Sequence, residues 1–180
     1  MGLSMYMWRQ EMKRPFGVNF IAYDPFIPDS MFSGHYVDRA ETLEELFEKS
    51  DFVSVHTPYM PATHHIIGKD QINRMKAGGL LVITGRGGVV DEGAVLKALD
   101  GGKLANIGTD VIEDEINNTS VLIGHPKVVM TPHCGYYSED ASADLKTQVF
   151  EQIVETVRDH NPPKHLLNKE VLGKARFETK

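Results

Sequence analysis

The sequence predicts an α/β fold of Rossmann type, a parallel sheet with helices on both faces, and three observations carry that prediction. Short apolar runs alternate with amphipathic segments along the chain. Asp-Pro and Gly-Gly pairs punctuate them as turns would. Chemically active residues follow one strand after another, and the edge beyond the strand ends is where open parallel sheets bind ligands.

In order, residues 18–23 (VNFIAY) read as a strand closed by Asp24-Pro25. Thr42 opens a helix with a capping box, its hydroxyl accepting from the Glu45 backbone while the Glu45 carboxylate reaches back. Leu43, Leu46 and Phe47 then share a face. Residues 51–55 (DFVSV) form a second strand that leads into the loop His56-Thr57-Pro58-Tyr59-Met60-Pro61. Residues 69–75 predict a short helix, and Gly78-Gly79 introduce the strand 80–83 (LLVI). Asp91 caps the next helix, whose Val95, Ala98 and Leu99 face inward before Gly101-Gly102 end it. Leu104–Thr109 and Val128–Met130 are further strands. Ser138, followed by Glu139 and Asp140, favours the start of a long helix. Leu145, Val149, Ile153 and Val157 recur on it every four residues. Residues 161–180, with Pro162-Pro163, read as a docking tail rather than a domain. Strands fed by intervening helices call for a parallel sheet.

Composition bounds the partners. The 180 residues are 41% hydrophobic and 24% charged, enough for one core. The net charge of −6 offers no basic field to nucleic acid or anionic lipid. The run Leu80-Leu81-Val82-Ile83 is too short to cross a bilayer. The single cysteine, Cys134, excludes an internal disulfide framework and fits a reducing compartment. A cytoplasmic protein is expected, with no signal peptide in residues 1–8. His64-His65 are adjacent and have no Cys or acid cluster beside them in the chain, so they read as solvated and no metal is expected. Cys134 reads as a small packing residue.

Each strand end carries a candidate. Asp24 before Pro25 is either a turn former or a carboxylate that accepts from an adenosine ribose. No arginine follows nearby to greet a 2′-phosphate, which favours NAD. Arg86 lies among Gly85, Gly87 and Gly88, flanks that let backbone approach a ligand. Its guanidinium suits the planar fork of a carboxylate. Asp110 and Glu115 follow the fourth strand and alone would pass for loop acids. His133 lies between Pro132 and Cys134. Its case rests on Glu115, because a carboxylate on an imidazole fixes the tautomer and readies the ring to donate a proton near neutrality.

These motifs resemble the D-isomer-specific 2-hydroxyacid dehydrogenases. Four segments match in order: VNFIAYDP (18–25), SDFVSVHTPYMPATHHIIG (50–68), MKAGGLLVITGRGGVVDEGAVLKAL (75–99) and IGTDVIEDE with VVMTPHCGYYSEDA (107–141). The resemblance implies an NAD-dependent oxidoreductase that transfers a hydride between the cofactor and a small 2-oxo or 2-hydroxy acid. It implies that Arg86 binds the substrate carboxylate, that His133 is the general acid and base, and that Glu115 holds and tunes His133. It further implies cofactor contacts from Asp24, His56, Thr57, Pro58, Thr84, Gly85, Arg86, Asp110, His133 and Gly135, with the 133–136 loop closing over the nicotinamide. A homodimer is the implied assembly.

The departures carry expectations of their own. The family's glycine-rich turn aligns best with Gly2-Leu3-Ser4-Met5-Tyr6-Met7, which keeps only its first glycine. The strand before that turn and the separate substrate domain have no counterpart. Residues 1–160 are thus expected to be a partial NAD-binding domain, lacking the first strand, and 161–180 a tail that docks on the substrate domain. The chain reads as a fragment. The competing reading is a truncated, non-catalytic remnant or an NAD-sensing interaction module.

Overall fold

The computed structural model describes residues 17–34, 37–163 and 166–171. The chain forms two compact units, Met1–Gly135 and Tyr136–Lys180.

The first unit is α/β, as expected, and its strands lie in two parallel sheets. In the smaller, β1 (Ile21–Ala22) pairs with β2 (Asp38–Arg39). The larger runs β3 (Phe52–Val55), β4 (Gly79–Ile83), β5 (Leu104–Thr109) and β6 (Val128–Met130) in that spatial order. Among the described residues the β1–β2 ladder and the β3–β6 sheet are separate. The strand foreseen over residues 18–23 shrinks to two residues. Its one described neighbour, β2, is itself two residues long, and a strand extends only as far as its ladder.

Register explains the core. Val53 lies beside Leu81 and Leu81 beside Ile107, while Val55 lies beside Ile83 and Ile83 beside Thr109. Side chains alternate across a strand, so these residues line one face. They are at most 4% exposed. Phe52 and Leu80, on the other face, are about two-fifths exposed. The described residues of this unit form four helices: α1 (Asp29–Ser33), α2 (Leu43–Lys49), α3 (Lys69–Arg74) and α4 (Glu92–Asp100). Helix α2 packs on α3, α3 on α4, and α4 on β5. Right-handed crossovers between strands added in one direction place their helices on one side of the sheet, which accounts for that row. Phe47, Val95 and Leu99 from these helices are fully buried in the same cluster.

The starts of the helices are set locally. The Thr42 hydroxyl accepts from the Glu45 amide at 3.1 Å, and the Asp91 carboxylate from the Ala94 amide at 3.0 Å. Glu45 does reach back, but to the Glu41 amide at 2.7 Å, one residue earlier than a capping box requires. A small core of Ala22, Phe32 and Val37 lies beneath α1, an element the sequence did not reveal. Arg39 stacks over the Phe32 ring at 5.2 Å and pairs with Asp29.

The second unit contains α5 (Glu139–Arg158) and a 3₁₀ turn, Lys169–Val171. Ser138 caps α5, its hydroxyl accepting from the Ala141 amide at 3.0 Å. The apolar stripe of α5 forms as its spacing predicts, and Leu145, Val149, Ile153 and Val157 are all exposed. No helix among the described residues is long and apolar enough to cross a membrane. The aligned turn Gly2–Met7 lies outside the described residues.

Candidate active site

Because β3 to β6 are parallel, their carboxyl ends open on one edge of the sheet. His56 follows β3, Thr84 follows β4, Asp110 follows β5 and Thr131 follows β6. The fold therefore brings most of the candidates to a single rim.

His133 and Glu115 meet there. The imidazole Nδ1 lies 2.9 Å from a Glu115 carboxylate oxygen, across 18 residues of sequence. Both side chains are about two-fifths exposed, so the pair faces solvent on one side. His133 has a positive φ of 52°, a left-handed conformation that few residues other than glycine adopt. Four hydrogen bonds around it hold the loop. The His133 amide donates to the Thr131 carbonyl at 3.0 Å. The amides of Cys134 and Gly135 donate to the two oxygens of Asp110 at 2.9 and 2.8 Å. Thr131 adds its hydroxyl to the same carboxylate.

Asp110 is thus the residue that shapes the histidine loop. Burial pushes its carboxyl up, but the Thr131 hydroxyl, the two loop amides and the nearby His133 outweigh that and hold it below the ordinary value of 3.8. Both carboxylate oxygens face inward to the loop. Gly135 is required beside it, since a Cβ there would come within 2.9 Å of an Asp110 oxygen.

Glu115 is held from below. The Glu113 amide donates to the buried Glu92 carboxylate at 2.8 Å, and the Ser120 hydroxyl donates to its other oxygen at 2.6 Å. Glu92 thereby ties the start of α4 to the turn that carries Glu115. Sequence reasoning missed Glu92, although it falls three and seven residues before Val95 and Leu99, on the face of α4 that enters the core. The Asp114–Thr119 bridge closes that turn.

Arg86 sits on the neighbouring loop. Its Nη1 donates to the Gly85 carbonyl at 2.8 Å, and the residue is exposed. The loop itself is wedged tightly. A Cβ on Gly87 would overlap the Ile112 carbonyl at 2.0 Å, and one on Gly88 would meet the Tyr59 ring at 2.7 Å. Gly85 lies against Thr57, whose carbonyl oxygen a Cβ would approach to 2.9 Å. The arginine loop therefore rests directly on the residues that lead to Glu115. The structure pairs Glu115 with His133 and lays Arg86 on the adjacent loop.

His56 links two strand ends, with Nε2 2.9 Å from the Ser54 hydroxyl and Nδ1 3.2 Å from the Thr84 hydroxyl. Burial pushes this imidazole below its ordinary value of 6.5, which favours the neutral ring, whose two nitrogens can serve one hydroxyl each. Asp24 accepts from the Phe26 amide at 2.9 Å and closes an Asx turn. That accounts for its place before Pro25 without excluding a ligand. His64-His65 stand beside no acid in the chain, but folding brings Glu113 to them across 48 residues, its carboxylate 2.9 Å from His65 Nε2.

Residues 9–135 match the family described as D-isomer specific 2-hydroxyacid dehydrogenase, NAD binding domain. The chain belongs to this family. It is similar to the D-3-phosphoglycerate dehydrogenase of Methanocaldococcus jannaschii, with 38% identity over 152 residues, 83% of this chain and 29% of that one. It is also similar to the solved holo form of Rhodotorula graminis D-mandelate dehydrogenase (TM-score 0.83, 30% identity, 93% of this chain, 49% of that one). A third likeness is to a D-lactate dehydrogenase from Aquifex aeolicus solved with NAD and lactic acid (TM-score 0.71, 29% identity, 80% and 47%). This chain spans less than half the length of each. NAD is the cofactor of the family's domain. The rim fits such a ligand, since Gly85 keeps the backbone of its loop close to Thr57 and no side chain at that position stands over the strand ends.

Proposed function

We propose that this member of the 2-hydroxyacid dehydrogenase family supplies the cofactor-side machinery of an NAD-dependent oxidoreductase acting on a D-2-hydroxy acid and its 2-oxo counterpart. The observation that carries the reading is the 2.9 Å contact between His133 Nδ1 and Glu115. With Nδ1 engaged by the carboxylate, Nε2 is the atom assigned to proton transfer. In reduction His133 gives that proton to the carbonyl oxygen of the 2-oxo acid, which becomes the hydroxyl. In oxidation it takes the proton back. Glu115 is a positioning residue: it holds the ring and offsets the positive charge that a proton on Nε2 brings.

Arg86 binds the substrate carboxylate through its guanidinium and draws electron density from the keto oxygen. Its present bond to the Gly85 carbonyl is exchanged for that contact. Residues that would hold the dinucleotide are Asp24 at the ribose, His56, Thr57 and Pro58 beside the phosphates, and Thr84, Gly85 and Gly135 near the nicotinamide. When bound, NAD would supply the hydride chemistry at the substrate's second carbon. Asp110 serves this site through the 131–135 loop. Residues 1–160 constitute the cofactor portion in this reading and 161–180 a segment that docks elsewhere, and two copies pair as a homodimer.

The test is NADH consumption with a panel of 2-oxo acids by the whole protein. Turnover is expected, and His133→Asn is expected to lower kcat by at least about a hundredfold. Titration of the 180-residue chain with NADH, followed by fluorescence, is expected to show saturable binding. A folded chain that neither binds NADH nor turns over any 2-oxo acid would favour the non-catalytic reading, and full activity in His133→Asn would end the assignment.

A further inference from the structure

The fold assembles a second cluster of ligating side chains that the dehydrogenase reaction does not use. His64, His65 and Glu113 each offer one ligating atom, and these atoms lie within 4.8 Å of one another. We propose that they form a site for a late first-row divalent cation of the zinc type, held by two imidazoles and one carboxylate with a position left open to solvent.

The geometry carries this in three steps. The first is convergence. Adjacent residues seldom serve one ion, but here the two rings stack at 3.8 Å between centroids and 25° between planes, and a nitrogen of each lies within 4.8 Å of the other and of a Glu113 oxygen. The third donor comes from the loop that follows β5, and His65 Nε2 already lies 2.9 Å from Glu113 Oε1. A proton now bridges that contact, and a cation would replace it.

The second step is rigidity. His65 holds a positive φ of 49°, and its amide donates to the Gly88 carbonyl at 3.0 Å. The next residue but one, Ile67, bridges to Val90. On the other side, the Glu113 amide is fixed by Glu92, and Gly87 is pressed against the Ile112 carbonyl. The backbones that present the donors are therefore set by contacts independent of any ion, so little ordering remains for binding to impose.

The third step is chemistry. Two imidazoles with one carboxylate is a donor set that tetrahedral zinc-type cations take, while magnesium and calcium demand oxygen. The donors are exposed, which gives an ion its entry path. The chain's net charge of −6 favours cation approach. Because Glu113 lies two residues before Glu115, an ion here would pin the turn that carries the partner of His133.

The experiment is titration of the untagged chain with Zn²⁺ by calorimetry and with Co²⁺ by visible absorption. One equivalent is expected to bind, with intense d–d bands of low-coordinate Co²⁺. His65→Ala, Glu113→Gln and His64→Asn are each expected to weaken binding by about tenfold or more. His133→Asn and Cys134→Ser are expected to leave it in place, which separates this site from the catalytic pair. Absence of Co²⁺ bands would overturn the proposal, as would binding that survives the first three substitutions and disappears with the last two.

Discussion

At the residue scale, the site depends on groups that never touch a substrate. Asp110 is the clearest. Its carboxyl is held below the ordinary value of 3.8, chiefly against the pull of its own burial, by hydrogen bonds that only the charged form accepts fully. A depressed acid adds stability above its unfolded pKa and loses it as pH falls through the folded one. Urea unfolding of Asp110→Asn is therefore expected to show a loss of about 1–3 kcal/mol at neutral pH that shrinks below about pH 4. The same variant should lower kcat, because the histidine loop loses its anchor. His56 works in the opposite sense: burial depresses a base, so protonation favours the unfolded chain, and stability drops as pH falls below about 6.5. Its ring-proton NMR titration should have a midpoint below that value. Glu92→Ala should release the Glu113 amide and the Ser120 hydroxyl together, and a loss of about 2 kcal/mol or more in thermal unfolding would register it.

At the element scale, what the sequence revealed and what it hid divide along a physical line. Thr42, Asp91 and Ser138 were readable as helix starts because each acts on an amide three residues on. Asp91→Ala is expected to destabilise the chain by about 1 kcal/mol, measured by thermal unfolding, with the helix still present by circular dichroism. Strands β5 and β6 fell on their expected residues, since apolar runs bounded by turns are local too. β1 did not, because a strand's extent belongs to its neighbour. The helix α1 and the strand β2 were missed for a related reason: neither is long enough to show a period, and Phe32 and Arg39 make sense only once packed on each other. Within the site, the pairing of His133 with Glu115 was readable through a family resemblance. The meeting of His65 with Glu113 was not, since no spacing along the chain encodes a contact across 48 residues.

At the scale of the whole molecule, order should follow the sheets. β4 and β5 are paired on both edges, β3 on one described edge, and β1–β2 is a ladder of two residue pairs. Amide exchange is expected to be slowest at Leu81, Ile83 and Ile107, faster in β3, and fastest at Ile21 and Ala22. Slow exchange at Ile21 comparable with that at Leu81 would contradict this ranking.

The positive φ of His133 changes what a knockout at that position reports. Alanine disfavours the left-handed basin by roughly 1 kcal/mol, so it would relax the loop as well as delete the ring, and kinetics would blend two losses. Asparagine enters that basin readily and keeps the main chain where Asp110 set it. The gap in activity between the two variants would measure how much of the enzyme's rate comes from the bend in its backbone rather than from the imidazole.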